Sequence, residues 1–416
     1  MKKYFIFLVT VCLIVSVFSI FSFAQSNDNP TVFKLGVLLP FTGTFAAVAE
    51  TQKEGALQAV KDYNDKGGLS MPWGKVMVET IVADDEAKID VGLRRFNYMV
   101  DQGVNAVVGQ TWSPLSMAIN ELSKKSALPY FPTCVSAPET FVKGTLAECT
   151  FAIAASSHSI GLMAGNTAVN VLGAKTVYFL SRSDSWGDGI YEGFLDFIKD
   201  MDVEIVGYDR VPVGTASFVS ILQKVKAANP DVFVFAQFAA DCAAVLKQAG
   251  ELGLKEDTIL LNAYMTNAVA AGIPQDVLEG AYANAYFYWD LTGFPDSKLV
   301  QSVTTFSKRY EEEWGAPPDA YSVIAYDAVM ALLKAVEKAG SFEAGDVSRA
   351  ILFSPTFETA KGLAYWRKDH QPVFQYASFV LKGKAPEDKK GKWDFFDVVG
   401  SSGGAEVLPS LGSLGY

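Results

Sequence analysis

Near-continuous apolar strands alternate with amphipathic helices along this 416-residue chain, and the alternation is laid out twice. Residues 33–40 read as a buried strand. Residues 50–65 have helical spacing, with Ala56, Leu57, Val60 and Tyr63 on one side and Lys53, Glu54, Lys61 and Asp62 on the other. Asn64-Asp65-Lys66-Gly67-Gly68 ends that helix, a Gly supplying the left-handed cap. Strand 75–82, helix 89–101, strand 106–109, helix 115–126 and strand 128–131 follow. The arrangement restarts near Gly173, with strands at 176–181, 204–211, 231–236, 258–262 and 280–288 and helices at 188–200, 218–228 and 239–252. Uninterrupted Val/Ile/Leu strands between helices mean a parallel sheet covered on both faces. The expected fold class is therefore α/β, with two doubly wound parallel-sheet lobes whose ligand sites lie at strand C-terminal ends. Residues 151–158, polar and without helical period, are a candidate crossover between the halves. Helices at 297–314 and 322–339 and an extended stretch at 365–381 come next. The Gly/Ser/Pro-containing tail, from about 384, is expected to be loose or to lie along the surface.

The N-terminus reads as an export signal. Lys2 and Lys3 open it, residues 4–21 carry no charge, and Ser22-Phe23-Ala24 places small residues at the two positions a signal peptidase inspects. Cleavage after about Ala24 is expected; the alternative is an uncleaved anchor at the short end of a membrane span. Cys12 lies inside the apolar run and not after a small-residue pair, which argues against a lipoprotein. The mature chain would carry 33 basic and 46 acidic side chains, a formal charge of −13. Nucleic acid and anionic membrane surfaces need clustered Lys and Arg, so neither is an expected partner. Cys134, Cys149 and Cys242 remain after cleavage; in an oxidising compartment Cys134–Cys149 is a possible disulfide. With no Cys-x-x-Cys and with only His158 and His370, no metal site and no cofactor is expected.

Two strand ends each run into a Ser that opens a helix: Gly109-Gln110-Thr111-Trp112-Ser113-Pro114 and Thr133-Cys134-Val135-Ser136-Ala137-Pro138-Glu139. A helix start presents unpaired N–H groups and the positive end of the helix dipole, which suits a small anion. Both stretches also fit ordinary capping: Ser113 precedes a first-turn Pro, and Ser136 stands three residues before Glu139 as in a capping box. The two roles are compatible, because a cap hydroxyl has further hydrogen-bonding capacity.

At this point the residues resemble a family. Phe33-Lys34-Leu35-Gly36-Val37-Leu38-Leu39-Pro40-Phe41-Thr42-Gly43, Gly55-Ala56-Leu57-Gln58-Ala59-Val60, Ala83-Asp84-Asp85, Trp186-Gly187-Asp188-Gly189 and Tyr326-Asp327-Ala328 are similar, in order and spacing, to type I periplasmic solute-binding proteins. The resemblance covers about residues 32–382 and is strongest to the branched-chain amino-acid-binding group that serves ABC importers. It implies lobes joined by a three-segment hinge: residues 31–153 with 286–362 as lobe 1, and 156–281 with 365–416 as lobe 2. It further implies a periplasmic monomer that hands its ligand to a membrane permease. Ser113 and Ser136 occupy the positions where the family holds a ligand carboxylate. Trp186 and Phe238 fall at second-lobe contact positions, and Tyr321 where an aromatic lines the side-chain pocket; Trp112 neighbours Ser113.

One departure bears on the ligand. Members that bind α-amino acids carry an acid after a second-lobe strand to pair with the ammonium group. Here that stretch reads Leu260-Leu261-Asn262-Ala263-Tyr264-Met265-Thr266-Asn267, without a carboxylate, and Asp184 is the one candidate substitute. A buried ammonium without a partner costs several kcal/mol. An aromatic or aliphatic carboxylate lacking the amine is therefore the first expectation, with Trp112, Trp186, Phe238 and Tyr264 suited to a flat ring, and an apolar amino acid the second.

Two motif matches are set aside. Gly187-Asp188-Gly189-Ile190-Tyr191-Glu192-Gly193 is almost a dinucleotide fingerprint, but its last Gly is one residue late and Asp188 would face the pyrophosphate. Gly400-Ser401-Ser402-Gly403-Gly404 fits Gly-x-Ser-x-Gly without a readable strand–turn–helix. An enzyme is the first rival class, weakened by the lack of a paired His/Ser or His/Cys constellation. A sensor input module is the second.

Overall fold

The apolar run at the N-terminal side of the fold, β1 (Val32–Leu39), is the middle strand of a five-stranded sheet. The computed structural model describes residues 29–43, 45–134 and 136–416. The export signal and Cys12 lie outside the described residues. In the first sheet the order is β2-β3-β1-β4-β5, with β2 Leu69–Met71, β3 Gly74–Asp84, β4 Ala106–Gly109 and β5 Tyr130–Pro132. β1 runs parallel to β3 and β4, and β4 parallel to β5. Only the β2–β3 hairpin departs from the doubly wound pattern, being antiparallel.

The second sheet has seven strands in the order β15-β14-β10-β9-β8-β6-β7. Its parallel part is β6 (Thr176–Arg182), β7 (Glu204–Val211), β8 (Val232–Phe235), β9 (Ile259–Asn262) and β10 (Tyr282–Ala285). Then β14 (Ser378–Gly383) and β15 (Phe396–Ser402) add antiparallel at one edge. A small antiparallel sheet of β11 (Phe357–Thr359), β12 (Gly362–Trp366) and β13 (Pro372–Phe374) resolves part of the extended stretch.

The chain passes between the two main sheets three times: after β5, after β10, and between β13 and β14. This is a type I periplasmic binding protein fold. After β10 the helices Ser297–Trp314 and Ala320–Ala339 return to the first sheet's side. Tyr310 there donates to Glu54 (3.0 Å) and Trp314 to Gln58 (3.0 Å), both on helix Ala46–Asn64. Helix Ala320–Ala339 crosses the same helix at Gly55, where a Cβ would lie 1.9 Å from the Ser322 carbonyl oxygen. Any side chain at that crossing would push the helices apart.

Two expectations are corrected. The tail is structured: the apolar residues Phe396 and Val398 alternate along β15, which pairs with β14, and Leu414 is buried against Phe141 and Ala152. Its Gly and Ser content hid a short period-two signal. The Gly-x-Ser-x-Gly match falls across the end of this strand, where Ser402 accepts from Asn166. Cys134 and Cys149 are buried free thiols and not a disulfide. Cys149 lies beside the start of β5, its carbonyl accepting from the Tyr130 amide (2.9 Å), whereas Cys134 stands four residues further along the same run. At a strand rise of about 3.3 Å per residue that separation is on the order of 13 Å, beyond the reach of a disulfide.

Candidate functional site

The C-terminal ends of β1 and β4 build one wall of a cleft. Gly109 ends β4 at φ +136°, where a Cβ would come 2.2 Å from the Leu38 carbonyl oxygen. Gln110 follows at φ +83°, a conformation a non-Gly residue keeps only when its surroundings fix it. Its amide donates to Leu38 O (2.9 Å), and its Nε2 to the buried Asp85 carboxylate (2.9 Å), whose pKa burial pushes up. Gln52, fully buried on helix Ala46–Asn64, ties the strand ends together. Its Nε2 donates to the carbonyls of Gln110 (3.2 Å) and Thr133 (2.9 Å), while Thr111 Oγ1 donates to its Oε1 (2.5 Å). From this platform the chain enters helix Ser113–Ser126 through Trp112, an N-cap residue whose side chain caps nothing.

The facing wall comes from β6 and β8. Asp184 caps helix Ser185–Ile198, accepting from the Gly187 amide (2.9 Å). Arg182, the last residue of β6, donates through Nε to Asp184 (3.1 Å) and forms an ion pair with it, and its guanidinium lies 4.4 Å from the Trp186 ring centroid. Beyond β8, Phe238 precedes Ala239, held at φ +52°. Tyr321 enters from the first turn of helix Ala320–Ala339, whose cap, the buried Asp319, accepts from the amides of Tyr321 (2.9 Å) and Ala268 (3.0 Å).

Between the walls lies a pocket of about 490 Å³ lined by Trp112, Ser113, Arg182, Asp184, Trp186, Phe238 and Tyr321, among others. Six of the eight residues singled out in the sequence thus share one cavity. Tyr264 stands behind its wall, with its ring 6.3 Å from Phe238 and 6.0 Å from Tyr321. Ser136 is fully buried, outside the lining, with Oγ 3.6 Å from Cys134 Sγ and its carbonyl accepting from the Ser157 amide (3.1 Å). The helix read at Ser136 is a four-residue 3-10 turn, Pro138–Phe141, so one of the two expected helix-dipole seats is missing. The turn stops because the backbone is already extended at Val142 (φ −66°, ψ +137°) and turns left-handed at Gly144 (φ +93°).

Arg182 and Gln52 were missed in the sequence. A lone Arg closing an apolar strand two residues before Asp184 was a usable sign. Gln52 gives none, being one more polar position on an amphipathic helix. The near-fingerprint glycines serve packing: a Cβ at Gly187 would meet Arg182 O at 2.2 Å, and one at Gly189 would meet Ser157 Oγ at 2.3 Å.

A pocket between two doubly wound halves, walled by strand-end loops from each, is the geometry of a two-lobed ligand-binding protein. The chain belongs to the periplasmic binding protein family, whose model matches residues 32–389. The leucine-, isoleucine-, valine-, threonine- and alanine-binding protein of Pseudomonas aeruginosa is 23% identical over 344 residues, 83% of this chain and 88% of its own. A branched chain amino acid ABC transporter periplasmic ligand-binding protein from Burkholderia xenovorans superposes with a TM-score of 0.81 at 24% identity, covering 92% of this chain and 98% of its own. A solute binding protein of an ABC transporter from R. palustris, solved in complex with benzoate, gives a TM-score of 0.74 at 17% identity, covering 90% and 97%. Membership supports a periplasmic location.

Proposed function

We propose that the protein captures a small carboxylate-bearing solute, an aromatic or aliphatic acid, between two closing lobes and delivers it to the membrane permease of an ABC importer. The lobes are residues 31–153 with 286–362, and 156–281 with 365–416. Sheet membership supports that division, since β1–β5 lie in the first and β6–β9, β14 and β15 in the second. An N-terminal signal cleaved after about Ala24 would deliver the chain to the periplasm.

One observation carries the ligand class. The lining holds a single cation, Arg182, and a single carboxylate, Asp184, among the described residues, and that carboxylate is already engaged by Arg182 and the Gly187 amide. Across the cavity stands the start of helix Ser113–Ser126, whose N-cap residue, Trp112, makes no capping bond through its side chain. Both oxygens of Asp184 are engaged, whereas Arg182 uses only Nε and Nη2 on it, so the remaining guanidinium nitrogen and the helix start are what the site offers an anion, with no uncommitted acid for an ammonium. Trp112, Trp186, Phe238 and Tyr321 supply apolar faces for the ligand's body. The benzoate held by the R. palustris protein suits such a site. A second reading, an apolar amino acid, is favoured by the name of the Pseudomonas relative; it requires Asp184 to exchange Arg182 for the ligand's ammonium.

Calorimetric titration with benzoate, benzamide and leucine tests the reading. Benzoate should bind and benzamide should bind at least tenfold more weakly. Tighter binding of leucine than of benzoate would transfer the assignment to the second reading, and equal binding of benzoate and benzamide would remove the anion seat.

A further inference from the structure

The hinge contains a feature that the capture of an anion leaves unexplained. Ala154 from the first crossover, Tyr286 from the second and Ala377 from the third meet around a small cavity. The volume open to the centre of a water molecule is about 10 Å³, room for one water. Tyr264 and Asn284 also line it, 5% and 1% exposed. Tyr264 Oη and Asn284 Nδ2 have no hydrogen-bond partner among the described residues. The Asn284 amide is oriented, because Thr167 Oγ1 donates to its Oδ1 at 2.7 Å and leaves Nδ2 as the unengaged end. A buried polar pair beside a water-sized space is the setting in which a water is retained as part of a structure.

The same junction is also clamped by a lysine. The buried Lys361 donates through Nζ to the carbonyls of Tyr286 (3.1 Å) and Ala377 (2.7 Å), joining the second crossover to the third. Its ammonium nitrogen lies 3.3 Å from the Tyr286 ring centroid. Rotation of the lobes must alter the backbone around this cavity, because every connection between the sheets borders it.

We propose that Tyr264 is a positioning residue that links cleft occupancy to the hinge through one buried water shared with Asn284. Its ring backs Phe238 and Tyr321, which face the ligand, while its hydroxyl serves the cavity where the crossovers meet. A ligand that presses on the aromatic wall thereby fixes the hinge water and the three crossovers around it. The inference rests on ligand binding between the lobes, not on the ligand being an aromatic acid.

Two measurements decide it. A high-resolution crystal structure of the wild-type protein should show a water bonded to both Tyr264 Oη and Asn284 Nδ2; a dry cavity overturns the proposal. Amide hydrogen exchange is then compared in unliganded wild type, Tyr264→Phe and the control Tyr321→Phe, which loses a hydroxyl of the same aromatic cluster. Exchange at 151–158, 286–288 and 374–378 should rise at least threefold in Tyr264→Phe alone. No change there, or an equal rise in Tyr321→Phe, contradicts the role. With saturating benzoate, exchange at these segments should slow at least tenfold in wild type and less than threefold in Tyr264→Phe. If benzoate has no effect on the wild type, the carboxylate reading fails, while the unliganded comparison still decides the hinge.

Discussion

Arg182 is the residue on which the electrostatics of the cleft turn. Its guanidinium lies over the Trp186 ring, 4.4 Å from the centroid, and is paired with Asp184, so it is oriented before any ligand arrives. Such preorganisation lowers the ordering cost of binding. Hydrogen bonds to charged groups contribute roughly 1.5–3 kcal/mol, so Arg182→Gln should weaken benzoate binding by about 10- to 100-fold in calorimetry while leaving the melting temperature nearly unchanged. Trp186 supplies apolar area on the same side. Trp186→Ala should cost about 2 kcal/mol of affinity, from lost burial and stacking, and an unchanged Kd would remove it from the site. Ser136 shows the limit of reasoning from residue type. Its sequence context matches a capping box, yet the chain makes only a 3-10 turn that ends in extended backbone at Val142, and the hydroxyl is buried beside a thiol.

At the scale of elements, the cleft depends on how helix Ala46–Asn64 meets the strand ends. Gln52 replaces the backbone partners that the Gln110 and Thr133 carbonyls lose where β4 and β5 stop. Gln52→Leu keeps the volume and removes these bonds. An unsatisfied buried polar group costs about 1–3 kcal/mol, so the variant should unfold at lower denaturant by a shift of that size and bind benzoate more weakly. Full stability together with full affinity would show that the strand-end loops hold themselves. The elements themselves were largely legible, because fully buried parallel strands carry no polar interruptions and amphipathic helices declare their period. What escaped was pairing over distance. Tyr282 in β10 sits opposite Lys382 in β14, one hundred residues later, and no local pattern encodes that partner. β15 was hidden for the same reason: its Gly and Ser residues read as a tail until β14 supplies the other side of the ladder.

For the molecule as a whole, the proposed capture needs an open and a closed arrangement that differ by the contacts a ligand would make with both walls. Moving such a balance from 1:99 to 99:1 requires about 5.5 kcal/mol of differential affinity, which Arg182 with two aromatic faces can largely supply. Stability carries its own pH signature. His370 stacks on Phe151 with ring centroids 4.3 Å apart and holds the Thr150 carbonyl at 2.8 Å through Nδ1. Burial lowers its pKa against the opposing influence of that bond and of Asp369 and Glu148. The unfolded chain therefore takes up a proton near pH 6.5 that the native state does not, so this contribution is complete above that pH and is lost as the pH falls below it. Denaturant midpoints at pH 7.5 and 5.5 should drop towards acid in the wild type and drop less in His370→Gln; equal slopes would assign the effect to other groups.

The most direct test of the binding account is a crystal structure of the protein grown with benzoate. The carboxylate should lie about 3 Å from first-turn amides of helix Ser113–Ser126 and within reach of the Arg182 guanidinium, as charge-assisted hydrogen bonds require, with the ring between Trp186 and Phe238. Benzoate bound outside this cavity, or seated in it with the carboxylate turned away from both groups, would contradict the account.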